Sequence, residues 1–273
     1  MKNSSTFTAY AFSHIGNSRD NQEDNFLLGD VFLTSAQVQA QSDSREMTVT
    51  AERLSEDRFC MAISDGMGGY EGGEVASGQT VKYMAEHMAE LYDSAIAGKN
   101  GLNDFVKKLN FFICEKAGQK EQLNEMGATL CALVSSRGRT YSVNAGDSRL
   151  YLYSDGVLEH ITTDDTEGQR LIGLGLLSPD EEKTFPDRKK LYKYLGRPVE
   201  LMPDVREVNT LRSGDIVMLC SDGLYDVTDD EEIADMLSKK NLSIAEKGRF
   251  LTEMAVERNE GAGDNVTLVI AEY

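Results

Sequence analysis

Arg58-Phe59-Cys60-Met61-Ala62-Ile63-Ser64-Asp65-Gly66 is the stretch that decides how this chain is read, because Asp215-Ile216-Val217-Met218-Leu219-Cys220-Ser221-Asp222-Gly223 repeats its plan. Each is an apolar run of strand length that ends in Ser-Asp-Gly. The glycine lets the backbone turn sharply, and the aspartate before it presents carboxylate oxygens of the kind that hold a hard cation. One such ending is an ordinary turn. Two, joined by further acid–glycine pairs, point to one metal centre assembled from distant parts of a fold.

Outward from these runs, residues 6–12 and 26–33 read as strands with an acidic turn between them. Residues 34–57, rich in Gln, Ser and Glu, read as a polar loop or insertion. Val81, Met84, Ala85, Met88, Leu91 and Tyr92 recur at three- and four-residue spacing, which predicts an amphipathic helix from 75 to about 96. A second helix is expected from about 104 to 115, with Phe105, Leu109, Phe112 and Ile113 on one face. Three strands follow at 129–135, 139–143 and 149–154, separated by turn residues. Residues 165–196 are less regular, with short helices expected. A helix from Asp230, a capping box at Ser243-Ile244-Ala245-Glu246 and a last strand at 266–271 complete the pattern. Runs of strands interrupted by paired helices indicate a layered α+β fold rather than alternating βαβ units. With no internal repeat or linker, 1–273 reads as a single domain.

The chain has 273 residues, 40% of them hydrophobic, enough to bury a substantial core. Its net charge of −18 argues against a nucleic-acid partner, whose phosphates it would repel. There is no apolar run of about 18 residues to cross a membrane and no apolar signal core near the N-terminus, so a cytoplasmic location is expected. Cys60, Cys114, Cys131 and Cys220 all lie in apolar segments without zinc-type spacing, and read as reduced core residues.

The acids that adjoin glycine or end a strand are Glu23, Asp24, Asp65, Asp147, Asp222, Asp226 and Asp264. Gathered without cations they would repel one another and take up protons. With divalent ions the repulsion becomes attraction, and all-oxygen ligands select Mg2+ or Mn2+ over zinc or copper.

In their order along the chain, Arg19-Asp20-Asn21-Gln22-Glu23-Asp24, Asp65-Gly66-Met67-Gly68-Gly69, Asn144-Ala145-Gly146-Asp147-Ser148-Arg149, Ser221-Asp222-Gly223-Leu224-Tyr225-Asp226 and Gly263-Asp264-Asn265 resemble the metal-dependent Ser/Thr protein phosphatases (the PPM, or type 2C, family), in particular the bacterial form. The likeness runs from about Gly16 to Thr267 and takes in the connecting segment 171–196. It implies a four-layer α-β-β-α sandwich of two central antiparallel sheets flanked by helices, with the metals at one edge. By motif, Asp65 resembles a ligand bridging two tightly bound ions, Mn2+ or Mg2+. Glu23 and the carbonyl of Gly66 match ligands of one ion, Asp222 and Asp264 of the other. Asp24 matches a residue that holds a metal-bound water, and Asp147 with Asp222 and Asp226 matches a weaker third site. Arg19 resembles the arginine that grips the substrate phosphate. In such a site a water bridging two ions loses a proton and attacks phosphorus directly.

The resemblance implies hydrolysis of phosphoserine and phosphothreonine in proteins, opposing a Ser/Thr kinase or acting on its targets. A weakly catalytic phosphoprotein-binding module of the same fold is the alternative, and the presence of every expected acid favours the enzyme. No EF-hand loop supports a calcium-binding protein. Met67 stands where many relatives carry a histidine credited with protonating the leaving group, which a thioether cannot do. His14, His87 and His160 have no expected role in the chemistry. Gly68, Gly69, Gly72 and Gly73 are expected to form a turn that positions Asp65 and Gly66 or offers backbone donors near the metals. Residues 34–57 and 171–196 are candidate recognition regions, and the acidic surface is expected to speed the association of basic phosphopeptides at low salt.

Overall fold

In the computed structural model, which describes residues 5–68, 72–119, 123, 125–259 and 263–273, the decisive apolar run forms a strand that extends past its aspartate, over Arg58–Met67. In chain order the strands are β1 (Thr6–His14), β2 (Asp24–Leu28), β3 (Val31–Phe32), β4 (Thr48–Ser55), β5 (Arg58–Met67), β6 (Gly127–Ala128), β7 (Leu130–Ser136), β8 (Arg139–Ala145), β9 (Arg149–Ser154), β10 (Val157–His160), β11 (Asp204–Val208), β12 (Ile216–Cys220) and β13 (Val266–Glu272). The helices are α1 (Ser35–Ser44), α2 (Gly72–Glu86), α3 (Met88–Ala97), α4 (Lys99–Ala117), α5 (Glu167–Gly173), α6 (Pro179–Glu182), α7 (Asp222–Tyr225), α8 (Asp230–Ser238) and α9 (Ile244–Arg258).

The strands form a large curled antiparallel sheet in the order β10-β9-β12-β13-β1-β4-β5-β7-β8-β11, with β2 and β6 also paired to β5 and β3 to β2. Residues alternate between the two faces of each strand. Along β5, Phe59, Met61 and Ile63 join a cluster with Phe7, Val217, Leu219 and Val269, which come from the other half of the sheet. Between them, Cys60 and Ala62 face a second cluster built with α2, α3 and α4 through Val81, Leu91, Phe105 and Leu109. On β13 and β12, Leu268, Ile270 and Met218 pack against Ile233 and Leu237 of α8 and Leu251 and Ala255 of α9. Burial on both faces is why these strands read as unbroken apolar runs. Each large side chain so buried contributes about 1.5–3 kcal/mol. Cys60, Cys131 and Cys220 are buried in these three clusters, as expected of core thiols, and all four cysteines are unpaired.

The polar loop expected at 34–57 is not a loop. Thr34 caps α1 through a capping box with Gln37, and β4 pairs along its whole length with β1. Hydropathy hid both. The buried residue of α1 is Gln41, and the half-buried positions of β4 include Thr48, Thr50 and Glu52. The helix expected at 75–96 is two helices broken at His87, whose ring stacks on Tyr83 and whose Nδ1 lies 2.9 Å from the Tyr83 carbonyl. β10 and β11 were not anticipated, being short and only partly buried. Among the described residues no helix is long and apolar enough to cross a membrane.

Candidate metal centre

Antiparallel pairing of β2 with β5 sets Asp24 opposite Asp65, so two carboxylates from distant motifs meet at one strand end. Thr129 locks that end: its hydroxyl accepts from the Asp65 amide at 2.9 Å, and its amide donates to the Asp65 carbonyl at 2.8 Å. Glu23 is fixed by its backbone. Its amide donates to Asn265 Oδ1 at 2.7 Å, and its carbonyl accepts from the Gly66 amide at 3.0 Å. Asn265 Nδ2 also donates to the carbonyls of Ile15 and Asn21, tying the loop that carries Arg19 and Glu23 to the segment carrying Asp264.

Two glycines are demanded by close approach. A Cβ on Gly66 would lie 2.0 Å from the Gly73 carbonyl oxygen, and one on Gly73 would lie 2.4 Å from Glu23 Oε1. Gly72 and Gly73 therefore belong to the first turn of α2 rather than to a free turn. Gly69 lies outside the described residues.

Asp222 opens α7 directly after β12. Ser221 does not cap that helix with its side chain. Its hydroxyl instead donates to Asp24 Oδ2 at 2.6 Å and accepts from the Thr267 amide at 3.0 Å. Asp147 follows β8, and its carbonyl accepts from the Tyr225 hydroxyl at 3.0 Å. Arg149 lies over the Tyr225 ring, 3.6 Å from its centroid, and makes a forked pair with Asp164. Asp264 is ion-paired with Arg19 at 2.6 Å.

Arg19, Glu23, Asp65, Gly66, Asp147, Asp222 and Asp264 thus line one cavity of roughly 530 Å3. Asp24 and Asp226 do not line it: Asp24 lies buried behind Asp65, and Asp226 is ion-paired with Lys189. Met67, Gly68 and Thr129 also line the cavity, as do Lys189, Lys190, Leu191 and Tyr194. These last four lie in the candidate recognition region 171–196, though sequence reasoning singled out none of them, and Arg188-Lys189-Lys190 is a basic run in a strongly acidic chain. His14, His87 and His160 are not part of the lining.

The electrostatics are those of a crowded acid cluster. Burial first, then repulsion from Asp24, Asp222, Asp147 and Asp264, drives the Asp65 carboxyl well above the usual range. Burial likewise raises Asp24 to about 8, Glu23 and Asp147 to about 7, and Asp222 to about 6. Asp222 Oδ1 is buried with no hydrogen-bond partner. An orphaned carboxylate oxygen among mutually repelling acids fits a hard divalent cation, which would satisfy the oxygen and relieve the repulsion. Among the described residues, no three acid, histidine or cysteine side chains close into a cage by themselves.

The fold is thus a curled antiparallel sheet flanked by helices, with an acid-lined cavity at the ends of its strands. A family model described as protein phosphatase 2C matches residues 40–258, and the chain belongs to that family. It is 37% identical over 213 residues to the serine/threonine protein phosphatase PstP of Mycobacterium tuberculosis, covering 78% of this chain and 40% of that protein, so it spans well under half of that relative's length. It is 29% identical over 212 residues to the serine/threonine phosphatase Stp of Listeria welshimeri, covering 77% of this chain and 82% of that protein. The catalytic domain of PstP, solved in complex with two manganese ions, superposes with a TM-score of 0.71 at 32% identity, covering 98% of this chain and 99% of that one.

Proposed function

We propose that this chain is a metal-dependent protein phosphatase that hydrolyses phosphoserine and phosphothreonine in bacterial phosphoproteins. The observation that carries the reading is the gathering of Glu23, Asp65, Asp147, Asp222 and Asp264 around one cavity with Arg19 at its edge, in a chain of the protein phosphatase 2C family. In this reading Asp65, Glu23, the Gly66 carbonyl, Asp222 and Asp264 would together hold two cations, with Asp65 central among them. Asp147, Asp222 and Asp226 would hold a third ion more weakly. The all-oxygen donor set suits Mn2+ or Mg2+.

The cations, when bound, supply Lewis acidity at phosphorus and acidify an attacking water. Arg19 exchanges part of its contact with Asp264 for two phosphate oxygens, which its planar fork matches. Ser221 holds Asp24 in place behind Asp65 by the hydroxyl bond at 2.6 Å. Met67 has no proton to give, so the leaving oxygen takes its proton from water.

The same reading takes 1–273 as one phosphatase domain, and its sheet as two halves sandwiched between helical layers. Two observations support it. Among the described residues β4 and β5 are joined at Ser55–Arg58 alone, where the halves diverge, and β1 pairs with β13, uniting the two ends of the chain. The substrate is a Ser/Thr kinase or its targets. A cytoplasmic setting belongs to this reading and is supported by the four unpaired thiols.

The test is hydrolysis of a phosphothreonine peptide with Mn2+ or Mg2+, with EDTA, and by Asp65→Asn and Asp222→Asn. Metal-dependent turnover lost in both variants is expected. Folded, metal-loaded protein that turns over no phosphopeptide or phosphoprotein would overturn the reading.

A further inference from the structure

Asp222 opens α7 and Asp226 caps its C-terminal end, so their carboxylates stand four residues apart on one helical face. Lys189 reaches both. Its Nζ is ion-paired with Asp226 and lies 3.7 Å from Asp222 Oδ2. The lysine arrives from a different part of the chain, 37 residues before Asp226. Its backbone is anchored on either side: the Gly168 amide donates to the Arg188 carbonyl at 3.1 Å and the Glu167 amide to the Lys190 carbonyl at 2.9 Å. Lys189 thereby pins the connecting segment 171–196 against the cavity, which Lys189, Lys190, Leu191 and Tyr194 help to line.

One ammonium does not satisfy this pair of acids. It neutralises one of two charges, and Asp222 Oδ2, the oxygen that faces it, stands 3.7 Å from Nζ, beyond hydrogen-bond reach. A divalent ion would neutralise both, drawing on Asp222 Oδ2 and Asp226 Oδ2. It could not share the position with Nζ, because two cations a few ångströms apart in a half-buried cavity repel strongly.

We propose that Lys189 is a tethered cation resident in a site formed by Asp222 and Asp226, and that a free divalent ion at this position and the Lys189 contact exclude one another. Filling the site with a metal frees Lys189 and the strap Arg188-Lys189-Lys190 from the cavity wall. Emptying it draws the strap back. Access to the cavity is then coupled to divalent-ion concentration through a weak cation site. The inference rests on the metal-centre reading above, and adds to it a competitor built into the chain.

The experiment is a calorimetric Mn2+ titration of wild type, Lys189→Met, Lys189→Arg and Lys190→Met, paired with amide hydrogen exchange at Glu167 and Gly168. Beyond the tight ions, Lys189→Met is expected to bind a further ion about five- to tenfold more tightly than wild type, the scale of one lost partly buried ion pair. Lys189→Arg, which keeps the charge, and Lys190→Met, which leaves the contact intact, are expected to follow wild type. In wild type, saturating the weak phase is expected to speed exchange at the two amides that hold the strap. A weak phase the same in Lys189→Met as in wild type, or shifted equally by Lys190→Met, would overturn the tethered cation while leaving the tight sites standing. Wild-type exchange at those amides that is indifferent to Mn2+ would overturn it too, without recourse to any variant. Wild-type protein that binds no Mn2+ would overturn the metal-centre reading and this inference together.

Discussion

Gln22 Nε2 donates to Gln41 Oε1 at 2.9 Å, joining the loop before β2 to helix α1 by two buried side chains. Gln22 Oε1 in turn accepts from the Asp24 amide at 3.0 Å, and Gln41 Nε2 donates to Thr48 on β4 at 2.8 Å. Arg45, just past α1, donates to the carbonyls of Gly16 and Arg19 at 3.0 Å. The polar segment expected to be a recognition loop therefore braces the backbone that carries Arg19, Glu23 and Asp24.

Gln41→Leu tests the brace. It leaves Gln22 and Thr48 short of partners, which costs about 1–3 kcal/mol. Turnover of a phosphopeptide and of a small aryl phosphate is expected to fall together, with a lower melting temperature. A drop confined to the phosphopeptide would restore the recognition role.

Gly73→Ala sets a methyl group against Glu23 Oε1 at the first turn of α2, where neither the Gly66 backbone nor the Glu23 backbone can give way. Metal affinity is expected to weaken about ten- to a hundredfold, as when a ligand's support is disturbed. Circular dichroism should be unchanged. Calorimetry that finds wild-type affinity would show that the Glu23 carboxylate plays no part in binding.

The acid cluster makes the metal-free protein sensitive to alkali. Asp222, Glu23, Asp147 and Asp24 titrate from about 6 to about 8 when folded, against about 4 for free carboxyls. The native state therefore keeps protons that the unfolded state has released. Its stability is fully present below about pH 4 and is lost as pH rises through 6 to 8. In EDTA the melting temperature is expected to fall by about 5–10 °C between pH 5 and pH 8, and added Mn2+ should restore it at pH 8. A melting temperature that rises over this range would show that the carboxylates are already compensated.

Arg19→Lys keeps the charge and loses the fork. KM for a phosphopeptide is expected to rise about tenfold, with a smaller change in kcat. Because Arg19 is half exposed and its tip is ion-paired with Asp264, the fold should be unaffected. An unchanged KM would remove Arg19 from phosphate binding.

The amino-acid sequence by itself determined the apolar strands and most of the cavity's acids. Phe59 to Ile63 and Ile216 to Cys220 are apolar on both faces because each strand is covered on both faces, and Ser-Asp-Gly marks where each stops. The capping box at Ser243–Glu246 marks the start of α9 just as plainly. These signals are local: burial, a turn and a cap act within a few residues of where they are written. Residues 34–57 failed that reading because Gln41 is buried and Thr48 half-buried through hydrogen bonds to each other and from Gln22, 19 residues before Gln41, and hydropathy does not record such pairing. The register that sets Asp24 opposite Asp65, the turn of Ser221 from its own helix toward Asp24, and the reach of Lys189 to Asp222 and Asp226 were decided by tertiary structure alone. Each depends on which strands pair and which segments line the cavity, and such long-range geometry leaves no mark in the neighbouring residues.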